Sequence, residues 1–554
     1  MSNMKYLNKI IALFLLVGVT ACSTTPIEKK LSVDKSLKIA LFKIENKDYQ
    51  KAIEILLPIA NSGEKVAQYY LGNTYDIGLK KKQMAFNWYM KSALQGLPAA
   101  QNALGVMYAN GEGIAQNDIS AVEWYKKSSD QGNSAGQFNL AYKLEKGVGV
   151  KQDYFEARTL YEKAAKNNHP KASFNYAIFL KDGKGGVINK EEALKYYQKA
   201  ASLGVVQANY AIGVFYNTGT GVLRDQSKAA HWFYIGAKLG HADSQVALGN
   251  LLWNGQGVKK NYQEAVEWFK LGATQGQAEG QRNLGHAYKH GLGVKKNLAK
   301  AVLWTRKSAE KGNSGAQGNL AILFENGQGI SKDYKEAMKW YRLAAAQNEP
   351  LAEFRIGYLF FKGLGVSVDY KEALKWFRKA AEKEYSSSEY MIGHMYLKGL
   401  GVDRDFNQAE NWFEKAKSHG FKDMVGVIKE AKRQKKILAI NDYNSGLREM
   451  QIGNLGRAES LLTNAISNKP DFIAAYSSLG AALGMQGKFE KSIEILNKAI
   501  SIAPKNSDLH ANLGFSYSKI GKWDKAIKHY KITLDINPSH TRTRYNLRKA
   551  LEKK

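Results

Sequence analysis

The sequence predicts an all-α fold, a right-handed alpha-alpha superhelical solenoid built from stacked helix pairs. Three observations predict it. A bulky apolar residue followed by glycine or alanine returns every 36 residues from Leu104-Gly105 to Ile392-Gly393. A second set, Gly453, Gly487 and Gly521 with Pro470, Pro504 and Pro538, returns every 34 residues. Glycines number 51 against 8 prolines, so the backbone has many places to turn left-handed and few rigid breaks. A fixed period between about 20 and 50 residues marks a repeat array, in which each unit buries its apolar face on its neighbours.

Residues 1–21 open with Lys5 and Lys9, run apolar from Ile10 to Val19 and lead into Cys22. The run is far shorter than the roughly 20 residues that span a bilayer, and the stretch resembles a bacterial lipoprotein signal. That resemblance implies removal of 1–21, a diacylglycerol on the Cys22 thiol, and an acylated cysteine with its tether over 22–34. Each buried acyl methylene contributes about 0.8 kcal/mol, so several chains would hold the protein on a membrane. Ser23 stands where an aspartate would favour inner-membrane retention in that family. The expected location is therefore the bacterial cell envelope, lipid-anchored, at the outer membrane facing the periplasm. Cys22 is the only cysteine, so no intramolecular disulfide can form.

Residues 35–65 carry Ala40, Tyr49, Ala52 and Leu57 in the style of the 36-residue units but lack a G-x-G element, and are expected to form a capping helix pair. From 66 to 420 each unit repeats one pattern. A G-x-G such as Gly111/Gly113 or Gly255/Gly257 suits a left-handed helix end and then a chain reversal. Four residues later stands Asn or Asp, from Asn117 to Asp405, to cap a second helix. Glu156, Glu192, Glu264, Glu336, Glu372 and Gln408 complete an expected capping box. Alanine and tryptophan come next, one turn apart, as in Ala121/Trp124 and Ala373/Trp376; the alanine would allow close helix approach and the indole would fill the gap.

The joint pattern of Ala, Leu-Gly, Tyr, G-x-G-V, Asp, Ala and Trp resembles the Sel1-like repeat, a longer relative of the tetratricopeptide repeat with two antiparallel helices per unit. About ten units fit between 66 and 420. The first unit departs from it, since Leu71-Gly72 has no second glycine near Lys80 and the step to the next pair is shorter.

Lys422 to Ile440 places Val425, Ile428, Ala431 and Ile437 among lysines, so 421–440 is expected to be a bridging helix, a flexible hinge being the alternative. Residues 441–538 look like three tetratricopeptide repeats, each ending in proline, and 539–554 like a C-terminal capping helix.

The catalytic inventory is thin. Histidines number 10 and are scattered, His231, His286 and His394 among them, and the pattern calls for no metal and no cofactor. Some cysteine-rich relatives of the Sel1 type are linked to β-lactam binding or hydrolysis, which makes S-x-x-K worth testing. It occurs at Ser62–Lys65, Ser308–Lys311 and Ser516–Lys519 without a K-T-G or S-D-N companion. The G-x-G elements do not extend to a nucleotide-binding loop. A non-enzymatic scaffold is the expectation; a cell-wall or β-lactam hydrolase-like enzyme and a host-interacting virulence factor are the alternatives.

Net charge is +31, or +29 without Lys5 and Lys9, which favours acidic partners unless the lysines merely cover solvated faces. An exported chain would rarely meet nucleic acid. Expected partners are proteins or peptides of the envelope, the membrane through the lipid anchor, and an anionic polysaccharide or peptidoglycan. Partner binding is expected on the face formed by the first helix of each pair, as an adaptor in cell-wall or exopolysaccharide assembly. One register of the C-terminal array holds Asn444, Ser478, Asn512 and Asn546, and an echo in the first array holds Asn139, Asn175, Asn283 and Asn319. An amide offers donor and acceptor to a peptide backbone. Pairing with neighbouring helices is the other reading of the same residues.

Overall fold

The computed structural model describes residues 26–422 and 424–554. The expected signal, 1–21, and the expected lipidation site, Cys22, lie outside the described residues. Among the described residues there are 29 α-helices and no strand. The chain falls into two compact units, one ending at Gln277 and one beginning at Ala278. Within each, antiparallel helix pairs stack in chain order.

The repeat Pro98–Asn110 and Asp118–Asp130 shows why the sequence folds this way. Gly111 ends the first helix in the left-handed region at φ 72°, where a side chain would be strained. Gly113, also at φ 72°, answers a different need: a Cβ there would stand 2.5 Å from the Lys82 carbonyl oxygen at the start of the preceding second helix. Asn117 then accepts from the Ser120 N–H and starts the second helix.

The expected capping box does not close. Each N-cap N–H is already taken by a first-helix carbonyl, as in Asp153 to Leu144 at 3.0 Å and Asn189 to Leu180 at 2.8 Å. The glutamates bond elsewhere: Glu192 accepts from the Asn189 side chain at 3.0 Å, and Glu372 from Trp376 Nε1 at 2.8 Å.

The tryptophans do not fill the gap between helices. The residue after each does: Tyr125, Phe233, Phe269, Tyr341, Phe377 and Phe413 are buried, while Trp124, Trp232 and Trp376 are half-exposed. Ala121 and Tyr125 are four apart and share a helix face, whereas Trp124 is rotated about 100° from Tyr125. The glycine of each apolar-glycine pair makes room for the ring, since a Cβ on Gly105 would lie 2.7 Å from Tyr125. The indoles cover the seam to the preceding unit, and lysines three residues on lie over them, Lys127 at 4.2 Å from the Trp124 centroid and Lys379 at 4.3 Å from that of Trp376.

Repeats are also joined by a polar ladder. Buried Gln68, Gln101, Gln245 and Gln317 accept from Gln95, Gln131, Gln275 and Gln347 at 2.8 to 2.9 Å. In the same register Lys383 meets Glu353 at 2.6 Å, and His419 Nδ1 meets Glu389 at 2.9 Å.

Two boundaries differ from expectation. The first helix runs Pro26–Glu45 and takes in residues assigned to the tether; Pro26 suits a first helical position, and the helix formers Glu28, Lys29, Lys30 and Leu31 come directly after it. The bridging segment does not stop at 440. One 27-residue helix, Val425–Gln451, runs through it into the 34-residue array, burying Ile428 and Ala431 against Phe406 and Phe413, then Gly446 against Leu462. Val425–Gln451 pairs with Leu455–Asn468, Ile473–Met485 with Phe489–Ile502, and Ser507–Lys519 with Trp523–Ile536, and Thr541–Lys553 follows as the last helix.

Candidate functional site

The closest next-but-one approaches are between first helices: Pro98–Asn110 with Ser134–Lys146 in the first unit, and Ile473–Met485 with Ser507–Lys519 in the second. First helices therefore form the inner side of each stack. In the second unit this side opens into a cleft of about 390 Å³ between Ile473–Met485, Ser507–Lys519 and Thr541–Lys553. Its apolar wall is Ala481, Met485, Ala511 and Phe515; its polar rim includes Ser477, Asp508, Asn512, Arg542 and Asn546.

Two of the four residues expected in the C-terminal ladder, Asn512 and Asn546, line this cleft, whereas Asn444 and Ser478 are not among its lining residues. Asn444 is exposed on Val425–Gln451, and it is Ser477, beside half-buried Ser478, that faces the cleft. Asn512 Nδ2 donates to the Ser477 carbonyl at 3.3 Å and to its Oγ at 3.1 Å. This spends its donor on the preceding repeat and leaves Oδ1 as the acceptor for a ligand. At the rim His540 Nε2 lies 3.8 Å from Asp508. Sequence reasoning missed Ser477 and Phe515, whose 34-residue registers run Tyr443, Ser477, Ala511, Tyr545 and Leu447, Ala481, Phe515, Lys549 and so keep no one residue type.

The echo in the first array is used between helices. Asn139 Nδ2 donates to Asn102 Oδ1 at 2.8 Å, and Asn175 bonds the Tyr161 hydroxyl. Asn283 and Asn319 are half-buried. The S-x-x-K serines all donate to main-chain carbonyls: Ser62 to Ile59 at 2.8 Å, Ser308 to Ala278 at 2.7 Å, Ser516 to Asn512 at 3.1 Å. Among the described residues no three His, Cys, Asp or Glu side chains are grouped to hold a metal ion, and no helix is long and apolar enough to cross a membrane.

A family model described as the Sel1 repeat matches ten consecutive segments between residues 65 and 421, and tetratricopeptide repeat models match 485–521 and 507–540. Among solved structures the chain is similar to a protective antigen present in uropathogenic Escherichia coli strains that displays an SLR fold. The two are 30% identical, with 84% of this chain and 97% of that chain covered and a TM-score of 0.66. It is also similar to a Sel1 repeat protein from Oxalobacter formigenes, at 33% identity, with 44% of this chain and 96% of that chain covered and a TM-score of 0.41. No curated protein matches it.

Proposed function

Because this chain belongs to the Sel1 repeat family and continues into tetratricopeptide repeats, we propose that it is a non-catalytic adaptor, tethered to the bacterial envelope at Cys22, that holds extended segments of partner proteins. The observation that carries this reading is the cleft in which Asn512 and Asn546 face an apolar wall of Ala481, Ala511 and Phe515. An extended peptide presents a backbone N–H to Oδ1 of Asn512, a backbone group to Asn546, and a small apolar side chain to the wall between them. Partners in cell-wall or exopolysaccharide assembly fit the expected location.

The cleft is tested by selecting peptides from a random displayed library on the purified chain and repeating the measurement with Asn512→Ala/Asn546→Ala. Selected peptides that bind the double variant as tightly as the parent would remove the cleft from the proposal. Tethering is tested separately, by labelled fatty-acid incorporation into the parent and into Cys22→Ser; equal labelling ends the anchor reading. A second reading, exposure at a bacterial surface toward a host, is favoured by the likeness to a protective antigen. Protection of intact cells from added protease would count against it.

A further inference from the structure

The first helices of residues 278–398 carry a concentration of positive charge that the peptide cleft does not use. On Ala278–His290, Arg282 is half-buried, His286 and His290 are exposed, and the two imidazoles lie 4.5 Å apart between centroids. On Pro350–Lys362 stand half-buried Arg355 and exposed Lys362. On Ser386–Lys398 stand half-buried His394 and exposed Lys398. The acids on these helices are Glu279, 3.8 Å from Arg282, and three buried ones, each with a partner: Glu325, which accepts from Tyr341 and Arg355, Glu353, which pairs with Lys383, and Glu389, which pairs with His419.

These groups form two local clusters, one on Ala278–His290 and one on Pro350–Lys362 with Ser386–Lys398, within each of which the side chains feel one another. Burial and then Lys398 and Lys362 hold the His394 imidazolium below its usual range, while burial, His290, Lys289 and Arg282 do the same to His286. The Phe361 ring lies 6.2 Å from His394, bridging two successive first helices. Lys362 stands 5.9 Å from the Tyr358 centroid and 5.5 Å from that of Phe361, so cation and ring alternate along the wall. Between the two cationic sides runs Ser314–Asn326, where Gly318 is buried, yet a Cβ built on it would meet no atom within 4 Å. Beside it, the Arg282 guanidinium would be 3.2 Å from a Cβ on Gly315. In stack order this helix lies between the one that carries Arg282 and the one that carries Lys362, and at Gly318 it presents bare backbone.

We propose that this first-helix face of residues 278–398 binds an acidic, extended protein segment in which carboxylates alternate with apolar side chains. The proposal rests on the adaptor reading but not on the C-terminal cleft. Carboxylates meet Lys362 and Lys398 and accept from the His290 imidazole; apolar side chains meet Tyr358 and Phe361; the backbone approaches Gly318. An acidic glycan would satisfy the cations but would bring no apolar side chains to the rings, which is why a protein segment is favoured.

The test uses the full chain and a labelled peptide alternating Glu and Leu, monitored by fluorescence anisotropy at low and raised salt. His290→Glu/Lys362→Glu/Lys398→Glu, all at exposed positions, is expected to weaken binding at least about tenfold. The corresponding glutamine variant should fall between it and the parent, which separates lost charge from lost folding. Asn512→Ala/Asn546→Ala is expected to retain this binding, so failure here and failure of the C-terminal cleft are distinguishable. Equal affinity of the parent and the charge-reversed chain would overturn the proposal. So would binding of polygalacturonate through these three residues with no binding of the peptide.

Discussion

Lys383 Nζ donates to Glu353 at 2.6 Å across a repeat boundary, in the register where Gln347 donates to Gln317 at 2.9 Å one repeat earlier. An ion pair has replaced an amide pair without a change of geometry. The exchange is consequential because Glu353 is 3% exposed, whereas a neutral glutamine in that slot needs no counter-charge.

Lys383→Met should therefore destabilise its repeat by about 3 kcal/mol, because it leaves a carboxylate buried without a cation. Lys383→Gln with Glu353→Gln should restore most of that loss by rebuilding the amide pair. Urea denaturation of both variants checks the claim; equal loss in the two would mean that charge is not what the seam requires.

Glycines of the two kinds should respond in opposite directions. Gly393→Ala would put a Cβ 2.7 Å from the Phe413 ring and is expected to cost about 1 to 3 kcal/mol. Gly318→Ala meets nothing within 4 Å and should stabilise its helix by about 0.5 to 1 kcal/mol. Thermal and chemical denaturation would show the opposite signs directly.

The neighbouring rings of one helix should also differ. Phe377 is fully buried, and Phe377→Ala should cost about 3 to 5 kcal/mol. Trp376 is half-exposed, and Trp376→Ala should cost about half as much, from its seam contact and its bond to Glu372. Hydrogen exchange should rise in the altered repeat and its neighbours and stay unchanged further along the second unit.

The repeats were legible because spacing survives every substitution that keeps a small residue small, as Leu140-Ala141 for Leu104-Gly105 shows. The ring assignment failed because Trp124 and Tyr125 are adjacent, and spacing alone cannot tell which of two neighbours, about 100° apart, faces inward. Gly183 and Gly185 take the same left-handed turn as the other pairs, but Gly-Lys-Gly-Gly breaks the G-x-G-V pattern and hid them. The ladder from Gln68 to Glu389 was hidden too, since a periodic glutamine looks like solvated surface until its partner 27 or 30 residues on is seen to meet it. Of the candidate site, the register was readable from steps of 34; which of its residues face the cleft depends on the turn of each helix, and that brought in Ser477 and left out Ser478.

The paired imidazoles near the C-terminus make stability depend on pH. His510 Nε2 lies 2.9 Å from the Pro504 carbonyl oxygen, which only accepts, so that nitrogen carries the proton and Nδ1 accepts from His529 Nδ1 at 3.0 Å. Burial, His510, Lys528 and Lys525 push His529 down to about 4, from an ordinary value near 6.5. Because the folded pKa is the lower one, the unfolded chain binds the proton first as pH falls. The contribution is complete above about pH 6.5 and is lost progressively between there and about pH 4. His529→Gln removes the titrating group, so the difference in urea midpoint between parent and variant should change across that interval and stay constant between pH 7 and 8. Carboxylates common to both chains cancel in the difference. A difference that stayed flat from pH 8 to pH 4 would show that the two imidazoles are not held as the structure has them.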